Sequence, residues 1–409
     1  MKVKRCRACK SKDLHKFLDL GKRPPSDAFL KKEQLKFPEE KFPLEVLFCS
    51  NCSLVQLSYV VPPEKMYKAD YVYVSSISPA MRVNWTQLAK EAAEKIGLKP
   101  SDLVIDIGGN DGTLLECFKP FNVRTLNIDP TQVALKSKEK GIDLINDFFN
   151  EKVAERVVKE KGKAKIITGT NVFAHINDWD DFLRGVNKLL DDNGLMVLEF
   201  PYLVDLIKNV EFDTIYHEHL SYLSIRPIIW LLNRFDMEVA DVKRIPVHGG
   251  SLRLFAKKSS SNLPVNDAAK SLCNLEIKEG LDKLEKYQEF SRRVDELKGK
   301  LVKVLKELKS QGKKIAGDGA PAKGNTLLNY CEIGTDVLDF IAEVNPAKIG
   351  LFTPGMHIPV VEEERIYSER PDYLLLLAWN FKDDIMKKQQ RYKDLGGKFI
   401  IPIPEPQIV

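Results

Sequence analysis

At 409 residues, with 44% hydrophobic and 30% charged residues, the chain is too long for one ordinary core and sets an expectation of two or three globular domains. No apolar run approaches the ~18–20 residues that span a bilayer, and MKVKRCRACK lacks the apolar stretch of a secretion signal, so a cytoplasmic location without a membrane partner is expected. The net charge of +5 is concentrated in residues 1–41, which hold thirteen Lys/Arg against six Asp/Glu; these scattered lysines read as compensation for an anionic metal cluster, whereas a nucleic-acid face favours arginine blocks interleaved with aromatics.

The first elements carry the metal signal. Cys6-Arg7-Ala8-Cys9 and Cys49-Ser50-Asn51-Cys52 are two C-x-x-C knuckles, which together offer four thiolates to one tetrahedral zinc ion. Four thiolates close the shell, so the expected zinc is structural. The long stretch between the knuckles predicts a small folded insertion. Pro24-Pro25, Phe42-Pro43 and Pro62-Pro63 punctuate a β-rich module over residues 1–75. Cys117, Cys273 and Cys331 are isolated and read as buried small hydrophobes. DYVYVSSIS (70–78) reads as an edge strand or a loop over a pocket. Asn84 is the expected cap of a helix running from Trp85 to Ile96 and ended by Gly97.

From Leu103 strands and helices alternate, the pattern of a parallel sheet covered on both faces. LVIDI (103–107), TLNID (125–129), IITGT (166–170) and LMVLEF (195–200) are strands, and GGNDG (108–112) is a tight turn. A charged stretch from about 266 to 310 has apolar residues at three- and four-residue steps, which predicts a packing helix between domains. A second strand, Gly-rich turn and helix follow in KKIAGDGAPAKGNTLLNYC, with strands in VLDFIAEV (337–344), YLLLLAW (373–379) and KFIIPIP (398–404). The expected fold is therefore α/β: a Rossmann-like central domain over 76–260, flanked by the zinc module and by a second Rossmann-like α/β unit over 261–409.

The cofactor expectation rests on charge. Asp129 follows Gly108 at the distance where an acidic side chain accepts ribose hydroxyls, which suits a dinucleotide or S-adenosylmethionine alike. Asp106 and Asp111 bracket the turn with no Lys or Arg between. A pyrophosphate there would meet two carboxylates, whereas the ammonium and sulfonium of S-adenosylmethionine would be attracted. The candidate set is Asp106, Gly108, Asn110, Asp111, Asp129, Asp147, Phe148 and Asn171; Phe148 and Phe149 read equally well as core.

These residues resemble a known family, the sugar C-methyltransferases of deoxysugar pathways. The resemblance covers nearly the whole chain and is carried, in order, by the paired knuckles, DYVYVSSIS, DIGGNDGTLL, NVFAHIND, YHEHLSYLS, HGGSLR, GAPAKGNTLLNYC and VNPAKIGLFTPGMHIPV. It implies a zinc-binding N-terminal domain, a class I methyltransferase core, and a C-terminal domain that helps hold a nucleotide-linked sugar. It also implies that Tyr216, Glu218 and His219 of YHEH face the sugar, with His219 as general base and Tyr71 or Tyr73 reaching in. Asp129 stands where Glu is common and Ala378 where Pro is, which leaves sugar specificity open.

Methylation at carbon needs a carbanion equivalent, which a neighbouring ketone provides as an enolate once a base of near-neutral pKa removes the proton. Metal binding competes as a reading: His217 and His219 lack the spacing of a zinc-protease helix but on a strand would share a face. His175 is a candidate substrate contact; His15, His248 and His357 have weaker claims, although TPGMHIP is a possible turn near the nucleotide. Lys323, Gly324 and Asn325 at a helix start form a candidate diphosphate cradle. Rival readings are O- or N-methylation of a nucleotide sugar and a zinc-containing RNA-binding methyltransferase. The expected partner is a small nucleotide-sugar, not nucleic acid, with the chain a monomer or weak homo-oligomer.

Overall fold

The computed structural model describes residues 1–66, 79–247 and 249–409. Three sheets divide it. The N-terminal sheet contains β1 (Leu14–Arg23), β2 (Phe42–Cys49) and β3 (Val55–Leu57), joined by a strand from far along the chain, β9 (Ser221–Tyr222). Phe42, Leu44, Val46 and Phe48 alternate inward along β2, the period-two signature of a half-buried strand. The β1–β2 hairpin is the folded insertion between the two knuckles. β3 pairs antiparallel with β9 through Val55–Tyr222 and Gln56–Ser221, so the YHEH segment is stitched to the first domain, which chain order alone does not indicate.

The central sheet holds β4 (Leu103–Ile107), β5 (Arg124–Ile128), β6 (Asp143–Ile145), β7 (Ala164–Thr170), β8 (Leu190–Pro201), β10 (Met237–Ile245) and β11 (Ser251–Lys258), in the order β6-β5-β4-β7-β8-β11-β10. It is parallel from β6 to β8 and closes with antiparallel β11 and β10. Every residue of β4 is buried, as a strand covered on both faces requires. Strand order reverses at β4, so a crevice opens beyond its carboxyl end.

The preceding helix runs from Pro79 to Ile96, not from Trp85. Asn84 therefore lies inside it and caps nothing. Its Nδ2 donates to Glu199 at 2.9 Å and its Oδ1 accepts from Arg253 at 2.8 Å. Arg253 is fully buried and also donates to Glu199 at 2.6 Å and Glu91 at 2.9 Å. The buried guanidinium, paired on three sides, locks the helix to β8 and β11.

The C-terminal sheet orders β14 (Val360–Glu362), β13 (Ile341–Glu343), β12 (Ile315–Asp318), β15 (Tyr373–Leu376), β16 (Lys398–Ile401) and β17 (Gln407–Ile408), with only the last pair antiparallel. The charged stretch before it forms two helices, Ala268–Lys278 and Leu284–Ser310. The longer one buries Tyr287, Phe290, Val294, Leu297, Leu301, Leu305 and Leu308 on one stripe. The Tyr287 ring lies 5.0 Å from Phe17 and 4.8 Å from Phe48, which ties this helix to the first sheet.

Candidate active site

The knuckle sulfurs converge. Cys6 and Cys52 are 3.5 Å apart, as are Cys9 and Cys49, and all four sulfurs lie within 4.8 Å of one another. Sulfurs ~2.3 Å from a tetrahedral zinc are separated by about 3.8 Å, so the set fits that ion. Three of the four cysteines are buried and none faces the cavity described next; zinc here is structural.

A cavity of 1070 Å³ lies where the three sheets meet. Its central wall is the β4 turn. Gly108 has φ +70°, and a Cβ on Gly109 would stand 2.5 Å from Asn127 Oδ1 and 2.8 Å from Asp106 Oδ2, so backbone approaches this space as only glycine allows. Asp129, at the end of β5, accepts from the backbone N–H of Asn110 at 2.9 Å and from Thr131 N–H at 2.8 Å. Asp106 accepts from Thr168 Oγ1 at 2.7 Å, and burial pushes its carboxyl up to about 7. Half-exposed Phe148 and Asn171, held at φ +56°, complete this wall. Phe149 packs edge-on to Phe182 at 5.3 Å.

Two expected cofactor residues stand elsewhere. Asp111 accepts from Thr113 Oγ1 at 2.7 Å, lies 3.5 Å from Lys140 Nζ, and is not on the cavity wall. Asp106 and Asp129 are therefore the carboxylates that face the cavity, since Asp111 also accepts from the Thr113 N–H at 3.2 Å, where the helix Thr113–Glu116 begins, and meets a lysine from outside the motif. Asp147 is exposed and accepts from Phe148 N–H at 2.8 Å, also off the wall.

The opposite wall carries YHEH, which is a turn rather than a strand. His219 Nδ1–H donates to the carbonyl of Thr214 at 2.8 Å. A carbonyl only accepts, so that nitrogen holds the proton and Nε2 presents its lone pair to the Tyr216 hydroxyl, 2.9 Å away. His217 turns the other way, toward the Phe42 carbonyl at 3.3 Å, and burial pushes it down to about 4; the two histidines do not share a face. Glu218 lines the cavity with its Oε2 buried and without a hydrogen-bond partner. Burial, then the charge of Asp27, pushes its carboxyl up to about 8. His175 also lines the cavity, its ring 5.1 Å from that of His219, and burial pushes it down to about 4. Tyr71, Tyr73 and His248 lie outside the described residues.

The third wall comes from the C-terminal sheet. Lys323 Nζ donates to Asn380 Oδ1 at 2.9 Å and sits 4.8 Å from the centre of the Trp379 ring. Gly324 and Asn325 do not line the cavity. A Cβ on Gly324 would stand 2.9 Å from Leu377 Cβ, and Asn325 Nδ2 donates to the Ser26 carbonyl at 2.7 Å, so both are packing residues of the helix Ala322–Cys331. His357 and Gly355 hydrogen-bond Glu39 at 2.7 and 2.9 Å; the TPGMHIP turn serves the N-terminal domain rather than the cavity. The His15 ring meets Asp13 at 2.7 Å, away from the cavity.

Sequence reasoning missed Asp27, Asp318, Glu343 and Lys348, all on the wall. Asp318 is the last residue of β12 and Asp106 the penultimate one of β4, and Glu343 ends β13 as Asp129 follows β5; the repeated order of strand, late acid and glycine turn was the available signal. Lys348 donates to the Ala320 carbonyl at 2.8 Å and lies 3.7 Å from Asp27. Nothing local marks a lone lysine after a proline as a cavity residue.

Three family models match successive parts of the chain: "Putative zinc binding domain" over 6–67, "Methyltransferase domain" over 80–242 and "C-methyltransferase C-terminal domain" over 246–404. C-methyltransferase NovU of Streptomyces niveus is 34% identical over 408 residues, spanning 100% of this chain and 97% of that protein. Solved structures similar in part include magnesium protoporphyrin IX methyltransferase of Synechocystis with bound S-adenosylhomocysteine, at 13% identity and TM-score 0.34 over 44% of this chain and 83% of that one. Another is an S-adenosylmethionine-dependent methyltransferase of Clostridium acetobutylicum, at 15% identity and TM-score 0.35 over 43% and 92%. No described helix is long and apolar enough to cross a membrane. With four convergent thiolates, a glycine turn between two carboxylates and full-length similarity to NovU, the chain belongs to the zinc-containing, S-adenosylmethionine-dependent C-methyltransferases.

Proposed function

We propose that the chain methylates the carbon beside the keto group of a nucleotide-linked 4-keto-deoxysugar, with His219 as general base. The observation that carries this reading is the Thr214 carbonyl on His219 Nδ1–H, which leaves Nε2 basic and aimed with Tyr216 into the cavity. Bound S-adenosylmethionine supplies an electrophilic methyl group on sulfur, held by Asp106, Gly108, Gly109 and Asp129. The imidazole takes up the proton of the acidified carbon, directly or as the Tyr216 phenol hands on its own. The C–H electron pair becomes the C=C bond of an enolate as the carbonyl π pair moves to oxygen. The enolate carbon would then take the methyl group as its bond to sulfur breaks, leaving S-adenosylhomocysteine. A carboxyl at about 8 is largely protonated at neutral pH, so Glu218 donates a hydrogen bond to oxygen as charge develops there. Neutral His175 adds a second polar contact to the sugar.

Lys323 and Lys348 take the diphosphate, aided by the N-terminal amides of the helix Ala322–Cys331. Residues 1–75 then hold zinc and brace YHEH through β9, 76–260 hold the methyl donor, and 261–409 hold the nucleotide. The test is solvent deuterium exchange into a panel of nucleotide-linked 4-keto-deoxysugars. Wild type exchanges the proton of the acceptor carbon, and His219→Ala loses exchange while keeping S-adenosylmethionine affinity within about twofold. Undiminished exchange in that variant rejects His219 as the base; methylation without exchange points to oxygen or nitrogen as acceptor.

A further inference from the structure

The hydrogen bond that sets the His219 tautomer comes from the one-turn segment Phe212–Thr214, and that segment is gripped by the C-terminal domain. Asp213 is fully buried, off the cavity wall, and its Oδ2 accepts from the Trp379 indole N–H at 2.6 Å. Its Oδ1 is buried with no hydrogen-bond partner among the described residues, and the next residue, Thr214, is the one whose carbonyl holds His219. The Phe212 ring meets Tyr330 at 5.3 Å, edge to face. On the cavity side of the indole rests the Lys323 ammonium, 4.8 Å from the ring centre. Burial pushes the Asp213 carboxyl up, and the positive charge of Lys323 is the largest influence opposing it. A buried carboxylate with one strong donor from another domain makes that donor's position decisive.

We infer that Asp213 and Trp379 are positioning residues through which docking of the C-terminal domain sets the orientation and tautomer of the His219 imidazole. The inference rests on His219 as the base, but its primary readout does not. A one-residue shift of the Thr214 carbonyl would release Nδ1–H and let the proton settle on Nε2, where a base has no lone pair to offer. Neither residue touches the cavity contents through this bond, so loss should appear in turnover more than in binding.

The experiment uses the full chain labelled with 15N-histidine, with His219 assigned by the signals lost in His219→Gln. Wild type should show a protonated Nδ1 and an unprotonated Nε2 at neutral pH. Trp379→Phe keeps the ring face beneath Lys323 and removes only the N–H donor; Asp213→Asn keeps an acceptor and removes the charge. Both should shift the His219 nitrogens toward the Nε2–H tautomer while His175 signals and S-adenosylmethionine affinity, within about twofold, stay put. With a thymidine-diphosphate-linked 4-keto-6-deoxyhexose as probe, kcat should fall roughly ten- to a hundredfold, the scale of a small misplacement, with KM little changed. His219 nitrogen shifts identical in wild type and both variants would overturn the inference. If wild type shows no activity on any keto-sugar yet the tautomer moves as described, the positioning stands and the reaction assignment fails.

Discussion

The two glycine turns that face each other across the cavity share one plan and differ in charge. In the central sheet Asp106 is the penultimate residue of β4, in the C-terminal sheet β12 ends on Asp318, and burial pushes each carboxyl up to about 7. At the end of each second strand an acid accepts a turn N–H: Asp129 from Asn110 at 2.9 Å, Glu343 from Ala320 at 2.8 Å. The cations separate them. Among the described residues no lysine or arginine lies on the wall around the central turn, whereas Lys323, Lys348 and Lys388 stand around the C-terminal one. A strand–turn–helix unit offers the same backbone donors in both places, so side-chain charge decides which ligand is attracted. On the proposed assignment, a cationic methyl donor takes the central turn and an anionic nucleotide the other.

The strongest way to break that contrast is to strip the cations. Lys323→Met with Lys348→Met should weaken nucleotide-sugar binding at least a hundredfold, since each charged hydrogen bond to phosphate contributes roughly 1.5–3 kcal/mol. S-adenosylmethionine affinity, read by calorimetry on the same protein, should not move. Equal losses for both ligands would mean that the lysines support the cavity as a whole.

A smaller effect tests the central turn. Because the Asp106 carboxyl lies near 7, S-adenosylmethionine should bind more weakly as pH falls through 7, approaching about tenfold per pH unit below it, since the ligand's cationic groups favour the carboxylate. The sign for stability is opposite. Without ligand, the folded chain keeps a proton that the unfolded chain releases, so this group's contribution is full in acid and is lost as pH rises through 7. Asp106→Asn should cost about tenfold in affinity at pH 8 and flatten the binding profile; an unchanged slope in that variant would place the titration elsewhere.

Much of this contrast was legible in the chain. LVIDI followed by glycine identifies a buried strand and its turn because both faces of a parallel strand are apolar, and the two knuckles identify the zinc set because thiolate pairs at that spacing share an ion. What stayed hidden depends on distance in the chain. Ser221 and Tyr222 pair with Val55 and Gln56, and no local pattern reports a partner in another domain. Asp111 has the right position in the turn but hydrogen-bonds Thr113, and side-chain direction within a turn is not encoded by spacing. The start of the helix at Pro79 was misplaced because Asn84 has the chemistry of a cap; its partner Arg253 lies on a strand far downstream.

The smallest effect compares the glycines themselves. Gly108 and Gly319 both have positive φ, +70° and +80°, so alanine at either position costs about 1–2 kcal/mol of backbone strain. Their surroundings differ. A Cβ on Gly108 would stand 2.7 Å from Val172 Cγ2, while one on Gly319 would come no nearer than 3.4 Å to any neighbour, Ala378 Cβ, an ordinary contact. Gly108→Ala should therefore add an overpacking cost of about 1–3 kcal/mol that Gly319→Ala escapes. In urea unfolding, the difference between the two variants isolates the steric part, since the conformational part is common to both. Restoring room with Val172→Ala should recover stability in the Gly108 variant and do nothing for the Gly319 one. Equal losses in both, with no recovery, would show that the central turn gives way as freely as its counterpart and does not press its backbone into the cavity.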